Sequence, residues 1–224
     1  ELIVENRLAE VLAQKASPEA PAAEANLRGL AEGFVAAVAG ATPTPGGGSV
    51  AALAGALAAA LGEMVAGLTL KRKPSEAHHA VLKESLDQLT RLRAKLLENI
   101  DRDAQSYQAV LAGFRLSKNT EADQDARSQT IEDASKAAAL VPLETAELCL
   151  EASRIVNGLR PLALSQASSD LTVALHLADS GRKSALENVY ANLPSIEDRD
   201  WVVRVSGKAR DLEALATTPP TRSQ

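Results

Sequence analysis

The chain has 224 residues, 46% of them apolar and only 2% aromatic, enough for one large domain or two small ones with a core drawn mainly from Ala and Leu. Its net charge of −5 has the wrong sign for binding nucleic acid by neutralising phosphates. The one cysteine, Cys149, excludes an intrachain disulfide and reads as a small buried thiol in a cytoplasmic protein.

The opening residues, Glu1-Leu2-Ile3-Val4-Glu5, are acidic and lack the basic start of a secretory signal; a chain not beginning with Met fits a piece of a longer parent. Residues 2–15 are expected to form a short helix and residues 16–24 a linker, ahead of a helical domain over 25–216. Asn26 is placed to cap a helix carrying Leu27, Leu30, Phe34 and Val38, which ends near Gly40. The run Thr42-Pro43-Thr44-Pro45-Gly46-Gly47-Gly48-Ser49 follows. One reading is a tight interhelical turn in which glycine supplies a positive φ. The other is a ligand site, where glycine admits close approach and the first N–H groups of the next helix face the ligand.

Val50–Leu70 has the length of a membrane span. Ala and Gly give little transfer energy, however, and Glu63 would lie in hydrocarbon, so the segment reads as a core helix. It ends at Lys71-Arg72-Lys73-Pro74, a cluster that either complements the helix dipole or meets a polyanionic substrate. A long helix from near Ser75 carries Leu82, Leu89, Leu96, Ile100 and Tyr107 at helical spacing, with Arg93 interrupting the seam. His78 and His79 point about 100° apart on it and read as solvated surface, not a metal pair.

Thr120 and Asp123 resemble a capping pair. The helix they open runs to about Asn157, with a kink or break at Pro142 and an end at Asn157-Gly158. After a loop over 158–169, Asp170 begins a helix to about Leu193, and Ser195 with Asp198 opens the last helix. Residues 217–224 read as a disordered tail. No stretch alternates like a strand, so the fold class is all-α, a bundle of long helices. A long apolar stripe and Gly/Ala-rich faces favour a homodimer.

The sequence holds no phosphate-binding loop, metal-ligand spacing or serine-nucleophile motif, and His176 is isolated on an apolar helix. What remains is polar residues among apolar neighbours. Asp103 lies beside Ala104 and Tyr107. Asp170 follows Ser168-Ser169, where an ordinary first-turn acid is also at home. Asn188 and Asn192, four apart, share a helix face and also suit surface amides.

The run from Thr42 to Leu57, with Met64-Val65-Ala66-Gly67-Leu68-Thr69-Leu70 after it, resembles the signature of the cyclodeaminase/cyclohydrolase family. That family includes the cyclodeaminase half of formiminotransferase–cyclodeaminase and the stand-alone methenyltetrahydrofolate cyclohydrolases. Asp101-Arg102-Asp103-Ala104, Val141-Pro142-Leu143-Glu144, Ser169-Asp170-Leu171 and Glu187–Leu193 resemble further family segments, so the similarity covers roughly residues 30–200. The chain departs from the family pattern at Lys71–Ser75, which has no aromatic residue, and around 158–168.

The resemblance implies an all-α homodimer acting on a one-carbon tetrahydrofolate, possessing or meeting a glutamate formiminotransferase domain, and working without metal, redox cofactor, nucleic acid or membrane. The leading expectation is a cyclodeaminase converting 5-formiminotetrahydrofolate to 5,10-methenyltetrahydrofolate and ammonia. The first alternative is a cyclohydrolase interconverting the 5,10-methenyl and 10-formyl forms. The second is a non-catalytic folate-binding or scaffold dimer. In the enzymatic readings Gly46, Gly47, Gly48 and Ser49 admit the folate and present N–H groups to it. Asp103 and Asp170 supply acid/base or pterin-anchoring carboxylates. Lys73, with Lys71 or Arg72 behind it, meets the polyglutamate tail. Asn188 and Asn192 hydrogen-bond the pterin edges, with Tyr107 also on the substrate.

Overall fold

The computed structural model describes residues 26–72 and 76–215, so the expected first helix and linker, Lys73 and the tail over 217–224 lie outside the described residues. Two compact units divide between Thr42 and Pro43. The first holds helix α1, Leu27–Ala39, whose Gly29 N–H donates to the Asn26 side chain, with Gly40 at its end, as expected.

The second unit holds α2 (Gly47–Leu70), α3 (Glu76–Phe114), α4 (Glu121–Leu159), α5 (Ser168–Asn192) and α6 (Arg199–Ala214). Short 3-10 turns at Ser165–Ala167 and Leu193–Ser195 flank α5. No strand occurs among the described residues. Helices α2 to α5 form a four-helix bundle in which α3 and α5 each pack on both α2 and α4, and α6 docks on α4 and α5.

Three glycines on α2 set the register of the bundle. A Cβ on Gly62 would sit 2.8 Å from Leu89 and 2.9 Å from Val156; one on Gly55 would sit 2.5 Å from the Cys149 sulfur and 3.0 Å from Leu96. One on Gly48 would collide with the Asp103 carboxylate. Positions 48, 55 and 62 rise in steps of seven while their α3 partners 103, 96 and 89 fall in steps of seven, so the two helices run antiparallel with one repeating seam. On α4 the partners 149 and 156 rise with α2, so α2 and α4 run parallel and close across the bundle diagonal. Gly181 completes the contact from α5: its Cβ would lie 2.9 Å from the Ala51 carbonyl and 3.0 Å from the Cys149 sulfur. Glycine serves here by letting backbones approach, which is why α2 is so poor in large side chains.

Several sequence expectations gain a cause, and some are corrected. Helix α2 is long and apolar enough to cross a membrane, yet half of that stretch is buried within the bundle as a core helix. Its one charge, Glu63, pairs with Arg93, which explains the interruption in the α3 seam; Thr90 donates to the same carboxylate. Thr120 and Asp123 form the full reciprocal cap. Helix α4 does not break at Pro142, and it runs through Gly158 to Leu159. Gly158 does not stop it because no described glycine adopts the left-handed conformation that would. Helix α5 begins at Ser168, with Asp170 inside its first turn. Ser195 lies in the turn after α5, and Asp198 instead caps α6 by accepting the Trp201 N–H at 3.0 Å. His78 and His79 are exposed on α3, and Cys149 is buried, its thiol pushed up to about 12 by burial.

Gly55→Ala is expected to destabilise the protein by about 1–3 kcal/mol through overpacking, measured by urea unfolding, and Cys149→Ala in the same chain is expected to recover part of the loss. Gly67, whose Cβ position is open, is the control: Gly67→Ala should stabilise by about 0.8–1 kcal/mol from helix propensity alone.

Candidate functional site

The seam changes character at the first turn of α2. Its layers at Gly62 and Gly55 are closed by Leu89, Val156, Leu96 and Cys149; the layer at Gly48 is closed by Asp103. Beyond Gly47 there is no α2 left to fill the bundle, while α3, α4 and α5 continue. The result is a cavity of about 230 Å³. Gly46, Gly47, Gly48, Asp103, Tyr107, Asn188 and Asn192 all line it, as do Pro43 and Thr44 of the approach. The Thr44–Pro45 peptide is cis.

The glycine run is therefore no left-handed turn. Gly46 is extended and caps α2, Gly47 and Gly48 are its first helical residues, and no described glycine has a positive φ. Each lacks a Cβ because of what lies opposite: the Pro43 carbonyl at 3.3 Å for Gly46, the Asn188 amide at 3.3 Å for Gly47, and the Asp103 carboxylate for Gly48. The positive-φ turn is thus not formed, and the groups that the glycines admit closely are the chain's own Pro43, Asp103 and Asn188.

Asp103 occupies a position that the seam elsewhere fills with leucine. Burial accordingly pushes its carboxyl above the ordinary aspartate range, opposed by hydrogen bonds from the Ser49 hydroxyl and backbone N–H. Ser49 is wholly buried, with Oγ 2.9 Å from the Ile100 carbonyl and 3.0 Å from Asp103 Oδ2. One hydroxyl proton serves one acceptor at a time. When Asp103 is ionised, Ser49 donates to it; when Asp103 is protonated, it can donate to Ser49, which then donates to Ile100. Both protonation states of Asp103 thus have a hydrogen-bond partner in Ser49.

The two asparagines are oriented by backbone. Asn188 Nδ2 donates to the Ser184 carbonyl at 2.8 Å, and Asn192 Nδ2 to the Ala138 carbonyl at 2.9 Å. The second bond explains Pro142. In a regular helix the N–H of residue 142 would donate to the carbonyl of residue 138. Proline has no N–H, so the Ala138 carbonyl is left for Asn192. With one N–H of each amide committed, the orientation of its Oδ1 is fixed as an acceptor.

Other predicted residues fall elsewhere. Asp170 lies near the start of α5, about 27 Å along the helix from Asn188, so within one chain it does not join Asp103. Lys71 and Arg72 follow the far end of α2, about 35 Å from Gly47. The sequence reading missed Ser106 and Ala138, which also line the cavity, and with them Val110, Ser135 and Ser195, which have a pattern in common. Their signal was the step of seven: Val110 continues Asp103, Ser135 precedes Pro142 and Cys149, and Ser195 continues Asn188. The turn bearing Ser195 is pinned to α4, where Glu132 accepts the N–H groups of Glu197 at 2.8 Å and Asp198 at 3.1 Å and Lys136 donates to Asp198.

Comparison with known proteins agrees with this architecture. The family model described as formiminotransferase-cyclodeaminase matches residues 30–211. A methenyltetrahydrofolate cyclohydrolase from Methylorubrum extorquens is 35% identical over 82% of this chain and 87% of its own length. The rat formimidoyltransferase-cyclodeaminase is 31% identical over 86% of this chain, which spans only 35% of that longer protein. The crystal structure of formiminotetrahydrofolate cyclodeaminase from Thermotoga maritima superposes with a TM-score of 0.73 at 27% identity, covering 82% of this chain and 87% of that one. The all-helical bundle with its glycine-capped α2 thus belongs to the formiminotransferase-cyclodeaminase family.

Proposed function

We propose that this chain is a formiminotetrahydrofolate cyclodeaminase, releasing ammonia as it closes the 5,10-methenyl bridge. The observation that carries the reading is the buried, glycine-packed Asp103 in a cavity walled by oriented amides. The cavity is smaller than the roughly 300–1,000 Å³ of common ligand pockets, so it suits the pterin end of a folate, with the rest of the molecule outside.

Cyclisation needs N10 held against the formimino carbon, a base for the N10 proton and an acid for the departing amine. Starting from the protonated formimino group, N10 attacks the carbon and a tetrahedral centre forms. The Asp103 carboxylate takes the N10 proton and returns it to the amine. The carbon–nitrogen bond to that amine breaks, ammonia leaves, and the methenyl product keeps the positive charge. Burial raises the Asp103 carboxyl above the ordinary aspartate range, which favours the protonated form that an acid needs. The scheme calls for no metal or redox cofactor, and a reduced Cys149 suits a cytoplasmic enzyme.

A second reading is favoured by the Methylorubrum relative named as a cyclohydrolase. There water would add to the methenyl carbon and the bond to N5 would break, again through a tetrahedral centre beside N10. Ammonia release from 5-formiminotetrahydrofolate is the expected result. Loss of methenyl absorbance without ammonia formation would replace the first reading by the second, and turnover of neither would leave a folate-binding protein.

Asp103→Asn should cut kcat by at least about 100-fold with little change in folate affinity, and full activity would remove Asp103 from the chemistry. The sign on stability is opposite. A carboxyl whose folded pKa is raised costs stability as pH climbs from its unfolded value through the raised one. The Asn variant should therefore match or exceed the wild type in Tm at pH 7–8. The acid limb of the wild-type kcat/KM profile should lie above the ordinary aspartate value of about 3.9.

A homodimer also belongs to this proposal. Val50, Leu57, Met64 and Leu68 form an exposed apolar stripe along α2. An antiparallel two-fold pairing across it would bring the basic end of one α2 near the glycine end of the other, where a folate tail would emerge. Sedimentation should show a dimer that Leu57→Glu dissociates; a wild-type monomer would overturn it.

A further inference from the structure

The proposed site contains a polar side chain that the scheme above does not use. Ser135 is 2% exposed and lines the same cavity as Asp103, Asn188 and Asn192. Its hydroxyl makes no hydrogen bond to any protein group. The other buried hydroxyls behave differently: Ser49, Thr69, Thr145 and Ser153 each donate to a backbone carbonyl. A serine within a helix has such a bond at hand, to the carbonyl a turn earlier, so a buried hydroxyl left without it calls for an explanation.

The helix register supplies one. Cys149 and Val156 fill the α4 seam against Gly55 and Gly62. Two steps of seven back from Cys149, through Pro142, comes Ser135. It holds a core position, but one whose α2 partner does not exist, because α2 begins at Gly47. What stands opposite is the cavity. Ser135 is also one turn before Ala138, whose carbonyl holds the amide of Asn192. The hydroxyl and the Asn192 Oδ1 therefore lie on neighbouring parts of one wall.

We propose that Ser135 is a substrate-binding residue whose hydroxyl hydrogen-bonds the pterin ring edge beside Asn192. A hydroxyl both donates and accepts. Paired with an amide oxygen that only accepts, it matches an edge where ring N–H or amino donors adjoin a carbonyl acceptor, which is the pattern of a pterin and not of a carboxylate-bearing tail. This assignment rests on the folate reading of the cavity and adds to it a specific contact on the ring.

The test is Ser135→Ala, titrated calorimetrically with 5-formyltetrahydrofolate, a folate that cannot lose ammonia, and with 6-methyltetrahydropterin, which lacks the aminobenzoylglutamate. The hydroxyl has no protein partner to lose, so the variant should melt at or above the wild-type Tm. It should bind both ligands about five- to tenfold more weakly, the worth of one hydrogen bond. Ser135→Thr should recover much of the affinity. Unchanged binding of both ligands by the Ala variant would overturn the assignment while leaving the folate reading intact. Weaker binding of the folate alone would overturn the pterin contact. A fall in Tm would show that the hydroxyl is structural and overturn it too. No binding of either ligand by the wild type would overturn the folate reading itself, and this assignment with it.

Discussion

The backbone of Gly48 and the carboxylate of Asp103 together occupy a space that cannot accept one more carbon. Most of the site follows from that contact. It sets the distance between α2 and α3, buries the carboxylate against the first turn of a helix, and brings the Ser49 hydroxyl and N–H to it. Burial raises the carboxyl while the hydrogen bonds from Ser49 at the helix start favour its ionised form, and burial is the larger of the two effects. The cost of placing a carboxylate in a leucine position is accepted at one layer of the seam, the last before the cavity.

The bundle is graded along its length. At the end remote from the site, leucine and valine side chains from α3 and α4 fill the space against glycines on α2. In the middle, a cysteine and a glycine allow α2, α4 and α5 to meet almost backbone to backbone. At the site end the same seam carries aspartate, proline, serine and asparagine. Pro142 has a role in that gradient. By withholding its N–H it hands the Ala138 carbonyl to Asn192, so a residue that would ordinarily disrupt a helix here connects two of them.

Much of this was legible in the chain. Helical periodicity gave α1 to α6 and the all-α class, and the caps at Asn26 and Thr120 stand where composition placed them. Local rules failed where tertiary contacts override them. Gly158 lies within a helix because its backbone is never asked to turn left-handed, and Pro142 does not interrupt α4 because a side chain from α5 takes over the stranded carbonyl. For the site, Asp103, the glycines and the asparagine pair come together as the motifs suggested. Asp170 does not join them within one chain, because spacing along a sequence says nothing about which end of a 25-residue helix faces the cavity. Ser135 escaped notice for the opposite reason: it belongs to a seven-residue pattern that becomes visible only once α2 and α4 are known to run parallel.

The Gly48–Asp103 contact also constrains how this sequence can drift. Position 48 cannot acquire a side chain while position 103 keeps its carboxylate. The two positions are a single heritable unit in which the buried carboxylate keeps its neighbour a glycine. Residue 103 must change before the glycine is free to vary, so an alanine at position 48 would mark a descendant in which the carboxylate had already gone.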